Sequence, residues 1–243
     1  MSRNTGHAGC KVNRKALKQN SMGKGIFEKI RFLFDCLLEV IYQEPYMCIL
    51  CGKELEEKTY ICTSCEGNFN KVCTKVKIEQ DAEIFIDECI AIYEFKGKVR
   101  EIVHDLKYKG KRDRAELIAY LIYKNINLEA DLITWVPQSN TTYNKRGYNQ
   151  ARDIAECLSK LTGLKCEELL LRVKQTKSQV LLSGAERWYN VCDAFCAKRD
   201  LKGINVLIVD DVVTTGATLN FCSKALKQKG AHKVYAVCFA KSC

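Results

Sequence analysis

The chain has 243 residues, with 39 lysines and arginines against 29 acids and a net charge of +10. That length suits one α/β domain with a small appendage. Hydrophobic residues at 47% and charged residues at 28% exclude disorder of the whole chain, and 2 prolines and 14 glycines exclude collagen-like or linker-dominated compositions. No apolar run reaches the roughly 18–20 residues that cross a bilayer, and the basic start has no apolar core behind it, as a secretory signal would. Of the 15 cysteines, Cys89, Cys157, Cys222 and Cys238 stand singly among apolar residues. Such a pattern fits a reduced, cytoplasmic protein with buried thiols and one metal site.

Residues 1–25 carry Arg3, Lys11, Arg14, Lys15, Lys18 and Lys24 and no acid. This basic stretch reads as a solvated, disordered arm; attraction to nucleic acid or to an anionic membrane surface is the functional alternative. Within residues 26–45, Ile26, Phe27, Ile30, Leu33, Phe34, Leu37, Leu38 and Ile41 recur at helical spacing between charged residues. The expectation is an amphipathic helix packed on its own domain, with peripheral membrane contact ranked second.

Next come Cys48-Ile-Leu-Cys51 and Cys62-Thr-Ser-Cys65. Two C-x-x-C pairs at this spacing can each sit on a tight turn and point four sulfurs at one tetrahedral Zn²⁺, with Gly52 supplying a left-handed turn. A redox dithiol is the alternative. Four thiolates leave no open position, so the metal is expected to be structural and to supply the folding energy of a ribbon over residues 46–70.

From residue 84 to 243 strands alternate with helices. Strands are expected at Cys89–Phe95, Leu132–Pro137, Ile204–Val209 and Lys233–Phe239, and helices at Lys98–Tyr108, Asp113–Lys124, Asn149–Leu161 and Ala217–Lys229. This alternation predicts an α/β fold with a mostly parallel sheet covered by helices on both faces.

The stretch Val206–Thr218, VLIVDDVVTTGAT, carries the most chemistry. A buried strand runs into Asp210 and Asp211, then a small-residue loop, then a helix. Ligands of open α/β sheets bind beyond the carboxyl ends of strands. Thr214, Thr215, Gly216, Ala217 and Thr218 offer hydroxyls and backbone N–H groups at a helix N-terminus, a phosphate cradle, and Gly216 admits close backbone approach. The two carboxylates suit neighbouring hydroxyls or a hydrated Mg²⁺. Neither G-x-x-x-x-G-K-[ST] nor G-x-G-x-x-G occurs, so a sugar phosphate fits better than a nucleoside triphosphate or a dinucleotide.

These residues resemble the 5-phosphoribosyl-1-diphosphate (PRPP) signature of type I phosphoribosyltransferases. The resemblance implies that Asp210 and Asp211 hold the ribose hydroxyls and that Thr214–Thr218 hold the 5-phosphate. Three further strings are Lys145-Arg146-Gly147-Tyr148-Asn149-Gln150, Arg172…Gln175-Thr176…Gln179 and Arg187…Asn190…Phe195. Together with the cysteine ribbon, their order resembles the ComF family (the ComF/GntX, competence-protein ComFC type) over residues 35–241. The resemblance implies a type I phosphoribosyltransferase-like domain behind a zinc ribbon and a link to competence and DNA uptake. Where the family usually has a more proline-rich loop, this chain has Trp135-Val136-Pro137-Gln138-Ser139.

For an enzyme of this kind, Asp210, Asp211 and Arg146 are the expected catalytic residues. Pro137, Lys145, Arg146 and Gln150 are expected on the pyrophosphate and acceptor side, with Lys107 and Lys109 as alternative sources of positive charge. Arg172, Gln179, Arg187 and Asn190 either shape the acceptor side or serve as scaffold. Three functions follow: a phosphoribosyltransferase using PRPP and Mg²⁺, a single-stranded DNA-binding protein of natural transformation, or a PRPP sensor without turnover.

Overall fold

A computed structural model describes residues 46–242 apart from 58, 77, 79–82, 128, 140–142, 145 and 174–193. The basic arm, the amphipathic helix, Lys145, and the Gln175–Gln179 and Arg187–Asn190 strings lie outside the described residues.

The described chain opens with a short hairpin, β1 (Tyr46–Met47) and β2 (Glu54–Leu55), and a single helical turn, α1 (Thr63–Glu66). It continues with strand β3 (Lys71–Lys75), strand β4 (Glu88–Glu94) and helices α2 (Gly97–Tyr108) and α3 (Asp113–Asn125). Strand β5 (Leu132–Trp135) and helix α4 (Gln150–Thr162) follow, then the short strands β6 (Lys165–Cys166), β7 (Leu170–Arg172) and β8 (Phe195–Ala197). Strand β9 (Val206–Val213), helix α5 (Ala217–Gln228) and strand β10 (Val234–Lys241) complete it.

Six strands form the main sheet in the order β3-β4-β10-β9-β5-β6. Every pairing in it is parallel except β3 with β4 at the edge. The strands β9 and β10 read as nearly unbroken apolar runs because both of their faces are covered. On one face Leu207, Val209, Val237 and Phe239 pack with the apolar sides of α2, α3 and α4. On the other, Val206, Ile208, Ala236 and Cys238 pack with α5 and with Leu170 and Phe195 of the separate β7–β8 pair. The mostly parallel, doubly covered sheet expected from the sequence is the observed fold.

Two local signals fix α4. Asn149 caps it, its Oδ1 accepting from the N–H groups of Ala151 and Arg152 at 3.0 and 3.3 Å, and Gly163 ends it at φ +74°. The cysteine-bearing segment shares the sheet's core. Cys48, Ile61, Cys62 and Phe69 are buried with residues of α2 and α3, and the buried Arg114 of α3 donates to the Ile49 carbonyl at 3.1 Å. Strands β3, β6, β7 and β8 were not anticipated, being short, at edges or interrupted by polar residues.

Candidate functional site

The sheet order places β9 beside β5. From β5 the chain leaves through α4 to β6 on one side; from β9 it leaves through α5 to β10 on the other. Because α4 and α5 cover opposite faces, the carboxyl ends of β5 and β9 splay apart at a topological switch point, where open α/β sheets bind ligands.

Strand β9 does not stop before the acids. It runs through Asp210 and Asp211 to Val213, with Asp210 opposite Cys238 and Val213 opposite Lys241. This corrects the expected end at Val209. The consequence is geometric: adjacent strand residues point to opposite faces. Asp211, 6% exposed, falls on the α2 side, where Lys107 Nζ lies 2.8 Å from each carboxylate oxygen. Asp210 falls on the α5 side near Cys222. The backbone N–H of Asp211 donates to Asp210 Oδ1 at 2.9 Å. Although one edge of Asp210 reaches solvent, dense surrounding protein and the neighbouring Asp211 charge raise its pKa to about 7, against the opposing influence of Lys107 and the Asp211 N–H.

Both acids nevertheless border one cleft of about 150 Å³, together with Lys107, Pro137, Gln138, Arg146, Gln150 and Arg172. Beside it lies a cavity of about 40 Å³ formed by residues 212–219, which shares Asp210 and Thr218 with the cleft. So Asp210, Asp211, Pro137, Arg146, Gln150 and Thr214–Thr218 are brought together. Lys107 is engaged as the counter-ion of Asp211, and Lys109 pairs with Asp105 at 2.8 Å. Arg146 reaches Gln150 Oε1 at 3.0 Å and Tyr108 Oη at 3.1 Å, with its guanidinium 4.9 Å from the Tyr108 ring centroid.

Gly216 serves α5 in a way the sequence did not indicate. Its φ is +78°, and an added Cβ would meet Ile78 Cγ1 at 3.0 Å. The glycine therefore permits the left-handed turn and the close approach of Ile78. Gly216→Ala is expected to cost about 1–2 kcal/mol from the backbone alone, read as a lower midpoint in urea.

Asn149 was also missed as a site residue. While its Oδ1 caps α4, its Nδ2 donates to the Val136 carbonyl at 3.0 Å, so one side chain ties the helix start to the loop after β5. Asn149→Ala is expected to cost about 1–2 kcal/mol from the lost cap and, by freeing residues 136–139, to speed hydrogen exchange in that loop. The expected helix began at Asn149 itself, and the contact with Val136 leaves no pattern along the chain. Asn220 has a similar double role, accepting from the Phe85 N–H at 2.8 Å and donating to the Glu83 carbonyl at 3.0 Å.

The second constellation is the cysteine cluster. The sulfurs of Cys48, Cys51, Cys62 and Cys65 all lie within 4.8 Å of one another. The Cys62 N–H points at Cys48 Sγ at 3.4 Å and the Cys65 N–H at Cys62 Sγ at 3.4 Å. Gly52 adopts φ +70° at the first turn. Burial opposes ionisation of Cys48, but N–H groups of Cys62, Cys51 and Leu50 bring its pKa down to about 6. Burial and the neighbouring sulfurs push Cys65 up to about 12. Four converging sulfurs with N–H support are compatible with a structural tetrahedral zinc site.

Comparison with known proteins agrees with the geometry. The family described as "Phosphoribosyl transferase domain" matches residues 167–242, the stretch from the end of β6 through β10. The chain thus carries a type I phosphoribosyltransferase-like domain joined to a four-cysteine ribbon. It is 29% identical to competence protein F of Haemophilus influenzae over 199 residues, 78% of this chain and 82% of that protein. It is 25% identical to competence protein ComFC of Bacillus subtilis over 202 residues, 81% and 78%. It is 24% identical to DNA utilization protein YhgH of Salmonella typhi over 219 residues, 85% and 95%. Over most of its length the chain is similar to proteins of the ComF type. Among the described residues, no helix is long and apolar enough to cross a membrane.

Proposed function

We propose that this chain binds PRPP or a related phosphoribosyl ligand in the β5–β9 cleft and transfers its phosphoribosyl group to a nucleophile. The observation that carries the reading is the sharing of Asp210 and Thr218 between the acidic cleft and the small cavity at the start of α5. A ligand with hydroxyls next to a phosphate matches that pairing. The first turn of α5 offers N–H groups that helical bonding does not use, and the helix dipole favours an anion there.

In this reading Thr214, Thr215, Gly216, Ala217 and Thr218 hold the 5-phosphate, and Asp210 and Asp211 accept from the ribose hydroxyls. Arg146, with Lys145 and the Pro137 loop, faces the pyrophosphate as its bond to C1 breaks and positive charge builds on the ribose ring. Preorganised charge and alignment supply the rate enhancement. Asp210, a hard oxygen donor bordering the cleft, is suited to Mg²⁺, which would neutralise pyrophosphate charge when bound. Zinc on Cys48, Cys51, Cys62 and Cys65 holds the ribbon, and the protein works in the cytoplasm, with a role in competence and DNA uptake.

The test is a thermal melt with Mg²⁺, with and without PRPP, followed by assay of pyrophosphate release. A PRPP-dependent rise in Tm with pyrophosphate release supports transfer; a rise without release leaves a PRPP sensor; no rise overturns the phosphoribosyl site.

A second reading is favoured by exposed aromatic and cationic side chains, of which Arg146 also lines the cleft. Tyr108 is 62% exposed and Tyr143 50%, with Arg146 over Tyr108 and Arg112 over Tyr148 at 4.9 and 5.2 Å. Aromatic faces interleaved with cations suit single-stranded DNA. Salt-sensitive oligothymidine binding that survives loss of both Asp210 and Asp211 would favour it.

A further inference from the structure

The last turn of α2 ends in two neighbouring residues, Lys107 and Tyr108. Successive helical residues point about 100° apart, so the two side chains part. Lys107 Nζ lies 2.8 Å from both oxygens of Asp211, and its charge is neutralised there. Tyr108 turns instead to Arg146, which lines the same cleft. Arg146 Nη2 donates to Tyr108 Oη at 3.1 Å and Nη1 to Gln150 Oε1 at 3.0 Å, with Cζ 4.9 Å from the Tyr108 ring centroid. Among the described residues, no carboxylate pairs with Arg146.

The contrast has a chemical meaning. A guanidinium paired with a carboxylate has no net charge to offer a ligand, whereas one held by a phenol oxygen, an amide oxygen and a ring face keeps all of it. Arginine has five N–H donors; two are used here, which leaves three for an anion. It also loses much rotamer freedom when it is fixed, so holding it beforehand lowers what a ligand must supply. Tyr108 is itself restrained. The His104 ring, one turn earlier, lies against it with centroids 4.8 Å apart. Tyr148 Oη donates to the Leu106 carbonyl and fastens this turn of α2 to the segment entering α4. Although 62% exposed, Tyr108 stands behind Arg146 rather than in the lining of the cleft.

Resting on the phosphoribosyl reading above, we propose that Tyr108 is the positioning residue for Arg146, a neutral support that holds the guanidinium toward the pyrophosphate leaving group without neutralising it. Arg146 touches the ligand, and Tyr108 acts only through Arg146. The phenol oxygen fixes Nη2, the ring face attracts the cation, and Gln150 fixes Nη1. One cation is thereby anchored to α2 and α4 together.

The experiment is calorimetric titration of the full chain with pyrophosphate and Mg²⁺ and, for comparison, with ribose 5-phosphate, which has no leaving group. Arg146→Ala is expected to weaken pyrophosphate at least about tenfold. Tyr108→Leu is expected to weaken it about three- to tenfold, and Tyr108→Phe, which keeps the ring, by less. Ribose 5-phosphate affinity is expected to stay unchanged in all three. In the Arg146→Ala background Tyr108→Leu is expected to add nothing, because a residue that acts through another has no effect once that other is gone. The proposal is overturned if Tyr108→Leu binds pyrophosphate as wild type does, if ribose 5-phosphate suffers the same loss, or if the two substitutions are additive. A Tyr108→Leu protein that loses oligothymidine but keeps pyrophosphate would make the tyrosine a stacking platform instead. If wild type binds neither pyrophosphate nor PRPP, the phosphoribosyl reading falls and takes the leaving-group role with it, an outcome distinct from a silent Tyr108.

Discussion

A protein carrying Asp210→Asn and Asp211→Asn is expected to lose the whole stabilisation that PRPP with Mg²⁺ gives the wild type, about 2.7 kcal/mol with ligand at a hundred times its dissociation constant. The two substitutions act differently because strand alternation separates their surroundings. Asp211→Asn removes the partner of Lys107, whose side chain is 22% exposed. The cost lies between the roughly 1 kcal/mol of an exposed pair and the roughly 3–5 kcal/mol of a buried one, so the variant's own baseline melt must serve as its reference. Asp210→Asn resembles the protonated carboxyl that this environment favours below about pH 7, so alone it is expected to leave the baseline near wild type and still remove the ligand response. An unchanged PRPP shift in the double variant would sink the phosphoribosyl site.

The same carboxyl sets a pH dependence. Burial and the Asp211 charge raise the pKa of Asp210 from 3.8 to about 7. Its neutral form is therefore favoured on folding, and the group's contribution to stability is lost as pH rises through that window. A ligand that needs the carboxylate must displace the proton. Apparent PRPP affinity is expected to rise between about pH 5 and 7, by at most about tenfold per pH unit, and to level off above. Calorimetry in two buffers of different ionisation enthalpy checks the proton release; a flat profile across that window would contradict it.

Loss of metal has the other large expected effect. Purified protein is expected to hold one zinc per chain through Cys48, Cys51, Cys62 and Cys65, and Cys48→Ser to hold none. The consequence reaches beyond the ribbon, because Cys48, Ile61, Cys62 and Phe69 are buried in the same core as α2 and α3. Further ties join the ribbon to α3 and the sheet: Lys124 to Glu66 at 2.9 Å, the Tyr60 and Tyr120 rings at 5.4 Å, and Phe69 edge-on to Tyr93 at 5.3 Å. A loss of even about 3 kcal/mol would lower Tm by about 6–12 °C in a chain of this size. Elemental analysis and a melt with chelator read both effects; stoichiometric zinc in Cys48→Ser, or a melt indifferent to chelation, would remove the metal assignment.

The exposed rim and the buried sheet were legible to different degrees. Helices α2, α3, α4 and α5 fall within a residue or two of their expected bounds, because each has an apolar stripe and α4 has both a cap and a terminal glycine. The edge strand β3 and the β7–β8 pair were invisible. Lys71–Lys75 offers little apolar signal, and the partners of β7 and β8 lie more than twenty residues apart in the chain. Of the lone cysteines, Cys89, Cys222 and Cys238 are buried as expected, while Cys157 is only partly so.

The sequence by itself determined the α/β alternation, the two C-x-x-C pairs and the string from Val206 to Thr218, because each is a local pattern whose spacing has few physical solutions. Tertiary structure alone decided what those residues face. Pairing with β10 carries β9 through its acids, so Asp211 meets Lys107 while Asp210 is left with a raised pKa on the other face. Packing against Ile78 gives Gly216 a second reason to lack a side chain. The fold also brings Tyr108, Arg146 and Gln150 together, so that neutral side chains from two helices hold one cation. Such relations depend on contacts between distant segments, and no period or motif along the chain encodes them.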